Sequence, residues 1–353
     1  MQYKTEYIAA LCKEITNDKR IQFEELSTLY FGGGTPSLLN TYDLDFIFNS
    51  LAKRFRFHSD CEITIEANPE HIEKNLVSNW KELGFNRLSL GIQSFNESDL
   101  HFLGRNHSVD QGINSLRICQ EAGIENITID LIYGLPDNSK QKFEKQIEIA
   151  NEFQIPHISA YLLSIEENTM FHKEWKKGKM QFLDDDSASD FILSVINTLE
   201  SFGYEQYEIS NFCKDQKVSK HNSNYWSTDV YGGVGAGAHS FDGKRRYWNS
   251  SKIFDYINKI NSNQIHYEFE ELNEVQKYNE FVMTSLRTRK GINLTVMKEK
   301  FANRFNSHTS EVIGRLLESA VIDVHENFLI IPTQKIPVTD FIIEEFILDS
   351  DES

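Results

Sequence analysis

The run Leu29-Tyr30-Phe31-Gly32-Gly33-Gly34-Thr35-Pro36 reads as a buried strand emptying into a glycine-rich turn, and the rest of the chain is ordered around it. Glycines at the C-terminal end of a strand clear away side chains where a ligand's polar backbone would approach; Thr35 adds a hydroxyl and Pro36 stiffens the exit. A plain strand-to-helix turn can look the same, so the surrounding pattern decides. Strand patterns rich in Ile, Leu, Phe and Tyr fall at 28–31, 62–66, 87–92, 127–133 and 157–163. Amphipathic segments separate them: Ser108 with Gln111 forms a capping-box pattern, and Gly84, Gly123 and Gly203 stand where helices stop. Strands recur at the spacing of β–α units, which predicts an α/β chain with a parallel sheet, open or closing toward a barrel.

In such folds the ligand lies at the C-terminal ends of the strands. Polar residues gather there: Glu66 in Glu66-Ala67-Asn68-Pro69, Gln93 and Ser94 in Gly91-Ile92-Gln93-Ser94-Phe95, and Asp130 in Ile129-Asp130-Leu131-Ile132-Tyr133-Gly134-Leu135-Pro136. Each alone reads equally as a satisfied structural polar group. Together, beside three glycines, they predict a small-molecule seat.

The chain has 353 residues, 40% hydrophobic and 25% charged, which fits an ordinary globular protein with one large domain and one small one. Lys+Arg of 36 against Asp+Glu of 53 leaves a net charge of -17, which opposes binding to phosphate backbones or anionic membranes, so no nucleic-acid partner is expected. Met1-Gln2-Tyr3-Lys4-Thr5-Glu6 opens no apolar leader, and no segment approaches the about 18 apolar residues of a membrane span. Cytoplasmic residence is the expectation. The four cysteines, Cys12, Cys61, Cys119 and Cys213, form no closely spaced metal or redox pair.

A region from about 204 to 250 is dense in aromatics and glycine and includes His221-Asn222-Ser223-Asn224-Tyr225-Trp226. Its glycine run, Gly232 to Gly237, lacks the strand–helix context of a dinucleotide fingerprint. Beyond 267, helices are predicted near 271–287, 294–303 and 307–319, followed by apolar runs at 321–324 and 328–331 that read as a hairpin. This winged-helix-like order lacks the basic stripe of a nucleic-acid module, so a packing or substrate-covering role is expected. The predicted units are 1–205, 206–266 and 267–353.

Tyr30 to Pro36, Glu66 to Pro69, Gly91 to Phe95, Phe102-Leu103-Gly104-Arg105-Asn106-His107, Asp130 to Pro136 and Tyr207-Glu208-Ile209-Ser210-Asn211-Phe212 together resemble the radical S-adenosylmethionine (SAM) family of oxygen-independent coproporphyrinogen III oxidases, and within it the HemW-like haem chaperones. The resemblance covers nearly the whole chain. It implies a partial (β/α)₆ barrel with SAM across the strand ends and a small α+β C-terminal domain. It further implies that Gly33, Gly34 and Thr35 meet the methionine part of SAM and that Glu66 accepts from its polar groups. Gln93, Arg105 and Asp130 would fix its ribose and carboxylate, Arg105 being the natural carboxylate partner. A surface ion pair is the alternative for Arg105. The His-Asn-x-x-Tyr-Trp motif implies haem: His221 as an iron ligand, with Tyr225 and Trp226 against the porphyrin, or else a buried histidine in an aromatic loop.

Members of the family carry a first strand followed by Cys-x-x-x-Cys-x-x-Cys, whose thiolates hold a 4Fe–4S cluster. Met1 stands just after the place of that segment, so the barrel is expected without its first strand, and Thr28 to Phe31 as an exposed edge. Cys61 is expected at the N-terminal end of a strand, with Cys12 and Cys119 on outer helices. Retention of the SAM-contacting positions favours a shortened chain over a homologue that lost its cluster. The function implied is haem binding and delivery to haem-acceptor proteins, with peripheral contact to membrane haem proteins compatible. The alternatives are the coproporphyrinogen III oxidase reaction and a cluster-free, non-catalytic relative.

Overall fold

The computed structural model describes residues 3–136, 139–164, 170–177, 183–227 and 229–349. Helix α1 (Lys4–Asn17) precedes five repeats of strand and helix: β1 (Glu25–Phe31), α2 (Thr41–Arg54), β2 (Arg56–Ala67), α3 (Lys74–Glu82), β3 (Arg87–Gln93), α4 (Glu97–Phe102), α5 (Val109–Glu121), β4 (Ile127–Tyr133), α6 (Lys140–Glu152) and β5 (His157–Leu162). After α7 (Met170–Lys176) and α8 (Asp185–Ser201), the short strands β6 (Glu205–Gln206) and β7 (Asn211–Cys213) complete the sheet. Its order is β1-β2-β3-β4-β5-β7-β6, with the first five strands parallel and β7 antiparallel to both its neighbours, β5 and β6. Parallel neighbours in chain order, each joined through a helix, wind one way and curl the sheet into a half-barrel.

Side chains alternate across these strands, and the two faces differ in kind. Ile63, Ile65, Leu88, Leu90, Ile129, Leu131 and Ile158 pack against Val77, Trp80, Leu116, Phe143 and Ile147 of the outer helices. Each such fully buried side chain contributes about 1.5–3 kcal/mol. The intervening positions, Glu62, Thr64, Arg87, Ser89, Thr128, His157 and Ser159, are buried and polar and face the inside of the curl. The helix ends follow the sequence: Ser108 and Gln111 close a reciprocal capping box on α5, and Gly123 follows that helix at φ +74°.

The strands extend further than their apolar runs. β2 begins at Arg56, because β1 already pairs there from Glu25, with a register shift before Thr28. Cys61 therefore stands within β2, not at its start as expected. β1 is the sheet's edge strand, with β2 as its neighbour.

Helix α9 (Lys220–Trp226) then leads to an antiparallel sheet of β8 (His239–Phe241), β9 (Arg245–Asn249) and β10 (Tyr267–Glu271), with α10 (Ile253–Asn261) between the last two strands. Sheet pairing thus runs past the predicted boundaries at 205 and 266: β6 and β7 join the barrel sheet, and β10 pairs with β9. The remainder forms its own core: α11 (Glu274–Leu286), β11 (Ile292–Asn293), α12 (Leu294–Lys300), α13 (Asn303–Glu318), the hairpin β12 (Asp323–His325) and β13 (Phe328–Ile330), and α14 (Thr339–Glu344). Tyr278 sits at its centre, stacked on Phe305 with centroids 5.1 Å apart and 2.9 Å from Thr309 Oγ1. This is the winged-helix-like order the sequence predicts. Among the described residues, no helix is long and apolar enough to cross a membrane.

Candidate functional site

The glycine turn after β1 stands beside the end of β2. Tyr30 OH donates to Glu66 Oε1 at 2.8 Å, and Gly33 N–H donates to Glu66 Oε2 at 3.1 Å, so one carboxylate ties strand to turn. Gly33 and Gly34 adopt φ +74° and +63°, a conformation side-chain-bearing residues rarely take, and a Cβ on either would meet nothing within 4 Å. The space over the turn is open. Thr35 follows, its carbonyl accepting from Leu38 N–H at 3.1 Å.

Inside the curl, a polar cavity of about 80 Å³ is lined by Tyr30, Thr64, Glu66, Arg87, Ser89, Asp130 and Tyr161, among others. Burial pushes the Asp130 carboxyl up to about 6; Ser159's hydrogen bond pulls it back, Glu66's charge adds to the rise, and Ser89 and Arg105 oppose it. Burial, helped by Asp130, likewise holds the Tyr161 phenol up at about 12. Thr64 Oγ1 is buried there without a hydrogen-bond partner, which leaves the chamber with spare polar capacity. Gln93 ends β3 at φ +65°, a conformation that costs energy for a non-glycine residue. Its Nε2 lies 2.9 Å from where a Cβ on Gly91 would stand. Arg105 is exposed beyond α4 and forms no ion pair among the described residues, so its charge is available to a ligand carboxylate.

These positions fit the polar part of SAM: an open cradle of backbone, two carboxylates and a free guanidinium. Cluster ligands do not fit. The four cysteines sit on α1, β2, α5 and β7, all buried and unpaired. Burial raises the thiols of Cys61 and Cys213 to about 11 and that of Cys119 to about 12, the reverse of the thiolate a metal needs.

The His221 motif forms α9, which packs along β1 on the inner side. His221 Nδ1 lies 3.1 Å from Thr28 Oγ1, and its ring stacks on Tyr30 at 4.6 Å and 15°. Tyr225 meets the imidazole edge-on at 5.1 Å and itself abuts Tyr231. Burial lowers the His221 pKa to about 4, so the ring is neutral at physiological pH. In the tautomer that donates Nδ1–H to Thr28, Nε2 carries the bare lone pair. Trp226 closes the helix and makes no ring contact with His221 or Tyr225 among the described residues. Tyr30 therefore touches both groups of predicted residues: its hydroxyl reaches Glu66 and its ring covers His221.

Sequence reading missed Thr28, Glu62, Arg87 and Tyr161. A signal existed: polar residues recur at every second position in Glu62-x-Thr64-x-Glu66 and Arg87-x-Ser89.

A second polar cluster lies elsewhere. Glu14, Asp18 and His266 converge as metal ligands would. Arg20 already fills that role, with Nη2 2.9 Å from Glu14 and 2.6 Å from Asp18, and its guanidinium stacks 4.2 Å over Tyr267. The cluster is a closed structural network.

The Radical SAM superfamily model matches residues 5–150. The heme chaperone HemW of Lactococcus lactis is 31% identical over 97% of this chain and 89% of its own length, and that of Bacillus subtilis is 32% identical over 91% and 86%. The solved structure of the Escherichia coli coproporphyrinogen III oxidase HemN superposes with a TM-score of 0.81 at 21% identity, over 98% of this chain and 84% of that one, which establishes the shared fold. Half-barrel, glycine turn and relatives along nearly its full length agree: the chain belongs to the HemW family of radical SAM proteins.

Proposed function

We propose that this chain is a haem chaperone that takes up haem through His221 Nε2 and passes it to haem-acceptor proteins, acting in the cytoplasm and meeting membranes only peripherally. The observation that carries this reading is the placement of His221: its Nδ1 stands 3.1 Å from Thr28 Oγ1 and its ring is stacked on Tyr30, an arrangement that would leave Nε2 for iron. Tyr225, half-exposed beside it, offers an aromatic surface to a porphyrin. The names of the relatives support the same reading.

SAM would sit on Gly33, Gly34 and Thr35, with Glu66, Gln93, Arg105 and Asp130 around its polar groups. Together with a reduced cluster, SAM supplies radical chemistry in this superfamily; the residues of this chain hold and orient it.

Haem titration of the full chain, followed by the Soret band, tests the proposal. His221→Ala is expected to shift the band and weaken binding at least roughly tenfold, the order of one lost metal-site interaction. Unchanged band and affinity would overturn the ligand assignment.

A further inference from the structure

We infer that Glu62 on β2 is the positioning residue of the haem-ligand helix: its buried carboxylate accepts the first N–H groups of α9 and so fixes where His221 stands against β1. The inference deepens the haem-chaperone reading and rests on it for its meaning, although the seating of α9 is measurable without haem.

Helix α9 is seven residues long and none of them is fully buried. A helix of that length does not hold itself together in water and must be held from outside. The rings of His221 and Tyr225 rest on Tyr30 and Tyr231, and polar contacts from β2 fix the start of the helix. Lys220 N–H donates to Glu62 Oε2 at 3.1 Å and His221 N–H to Glu62 Oε1 at 3.0 Å. Ser219 Oγ stands 3.5 Å from the same carboxylate and caps Asn222 N–H at 3.2 Å. Glu62 thus takes two of the donors that every helix leaves open at its start, and its negative charge meets the positive end of the helix.

The carboxylate is itself immobilised. Arg87 approaches Glu62 at 3.8 Å and is anchored to Asn126 Oδ1 at 2.9 Å and Thr128 Oγ1 at 2.6 Å, all within the half-barrel. The chain of contacts from β4 through β3 and β2 to α9 therefore joins the backbone of His221 to the rigid sheet. Thr28 sets the ring; Glu62 sets the backbone that carries it.

Glu62→Gln is the decisive variant, because it keeps the shape and leaves Arg87 an amide oxygen, whereas Glu62→Ala leaves a buried guanidinium unpaired and endangers folding. Lys220 and His221 donate to different oxygens of Glu62, and in the amide one of those oxygens becomes an NH2 that faces an N–H donor, so one of the two bonds is lost. In the haem-free Glu62→Gln chain, amide exchange over 220–226 is expected to rise roughly tenfold, as for a lost helix cap, with the rest of the barrel unchanged. Haem affinity is expected to fall by the factor by which the closed, competent population of the helix falls, as that population is read from the exchange, while the Soret band at saturating haem keeps its wild-type position because the ligand is the same. Unchanged exchange over 220–226 in the folded variant overturns the inference. If exchange shows the helix mostly open but haem affinity does not move, the helix is seated by Glu62 and His221 is not the haem ligand, which is the failure of the underlying reading alone; if the helix stays mostly closed, the rise in exchange by itself supports the seating and the His221→Ala titration decides the ligand.

Discussion

Asp130→Asn is expected to stabilise the protein at neutral pH, and the gain is expected to vanish in acid. The Asp130 carboxyl has a pKa of about 6 in the fold against an ordinary 3.8, chiefly because it is buried. Below about pH 4 it is protonated in both folded and unfolded chains, and no difference arises. Between about 4 and 6 the unfolded chain ionises while the folded one keeps its proton, so stability falls as pH rises. Above about 6 the folded carboxyl also ionises and the full penalty stands. A shift of about two units at about 1.4 kcal/mol each sets that penalty near 3 kcal/mol. An amide retains the shape and can bond Ser159 and Ser89, but forfeits the attraction of Arg105, so a net gain of about 1–3 kcal/mol is expected at pH 7.5. Urea denaturation followed by circular dichroism at pH 7.5 and pH 4 measures it. Equal stability of variant and wild type at pH 7.5, or the same gap at both pH values, would refute the reasoning. A gain confined to neutral pH would show that the fold keeps this carboxylate at a cost in stability, as the proposed SAM-binding role requires.

Two further substitutions separate close neighbours. A Cβ on Gly32 would stand 2.6 Å from Tyr30 Cε1 and 3.0 Å from Glu66 Oε1, so Gly32→Ala should displace the Tyr30 ring and weaken haem binding; Gly33→Ala, whose Cβ meets open space, should cost about 1–2 kcal/mol in the denaturation midpoint and leave haem titration unchanged. Arg20→Met removes the cation from buried Glu14 and Asp18 and should destabilise by about 3–5 kcal/mol, read as a drop in Tm; a change under about 1 kcal/mol would show that His266 alone balances those carboxylates.

The parallel strands were legible because each presents isoleucine or leucine to the helices at alternate positions, and the glycine turn because its composition is so restricted. The polar inner face was harder to see. Parallel strands are commonly apolar on both sides, so Thr64, Ser89 and Thr128 passed as incidental polar residues within buried runs, although their two-residue period marked a second face. Glu62 and Arg87 escaped for the same reason: a charge inside a strand has meaning only once its partner across the sheet is known. β6 and β7 were invisible, because strands of two and three residues carry no period and owe their pairing to β5. In the sequence Thr28 marks only the start of a strand; its 3.1 Å contact with His221, far along the chain, is a product of tertiary folding.

Tyr30 is a wall shared between two rooms. Its hydroxyl belongs to the Glu66 side and its ring to the His221 side, so position 30 must satisfy two unrelated demands with one side chain. Phenylalanine would keep the ring and abandon the carboxylate; a small hydroxyl residue would do neither, being too short to reach across. Substitution at this position is therefore narrowed twice over, and a change tolerated by one room is still judged by the other.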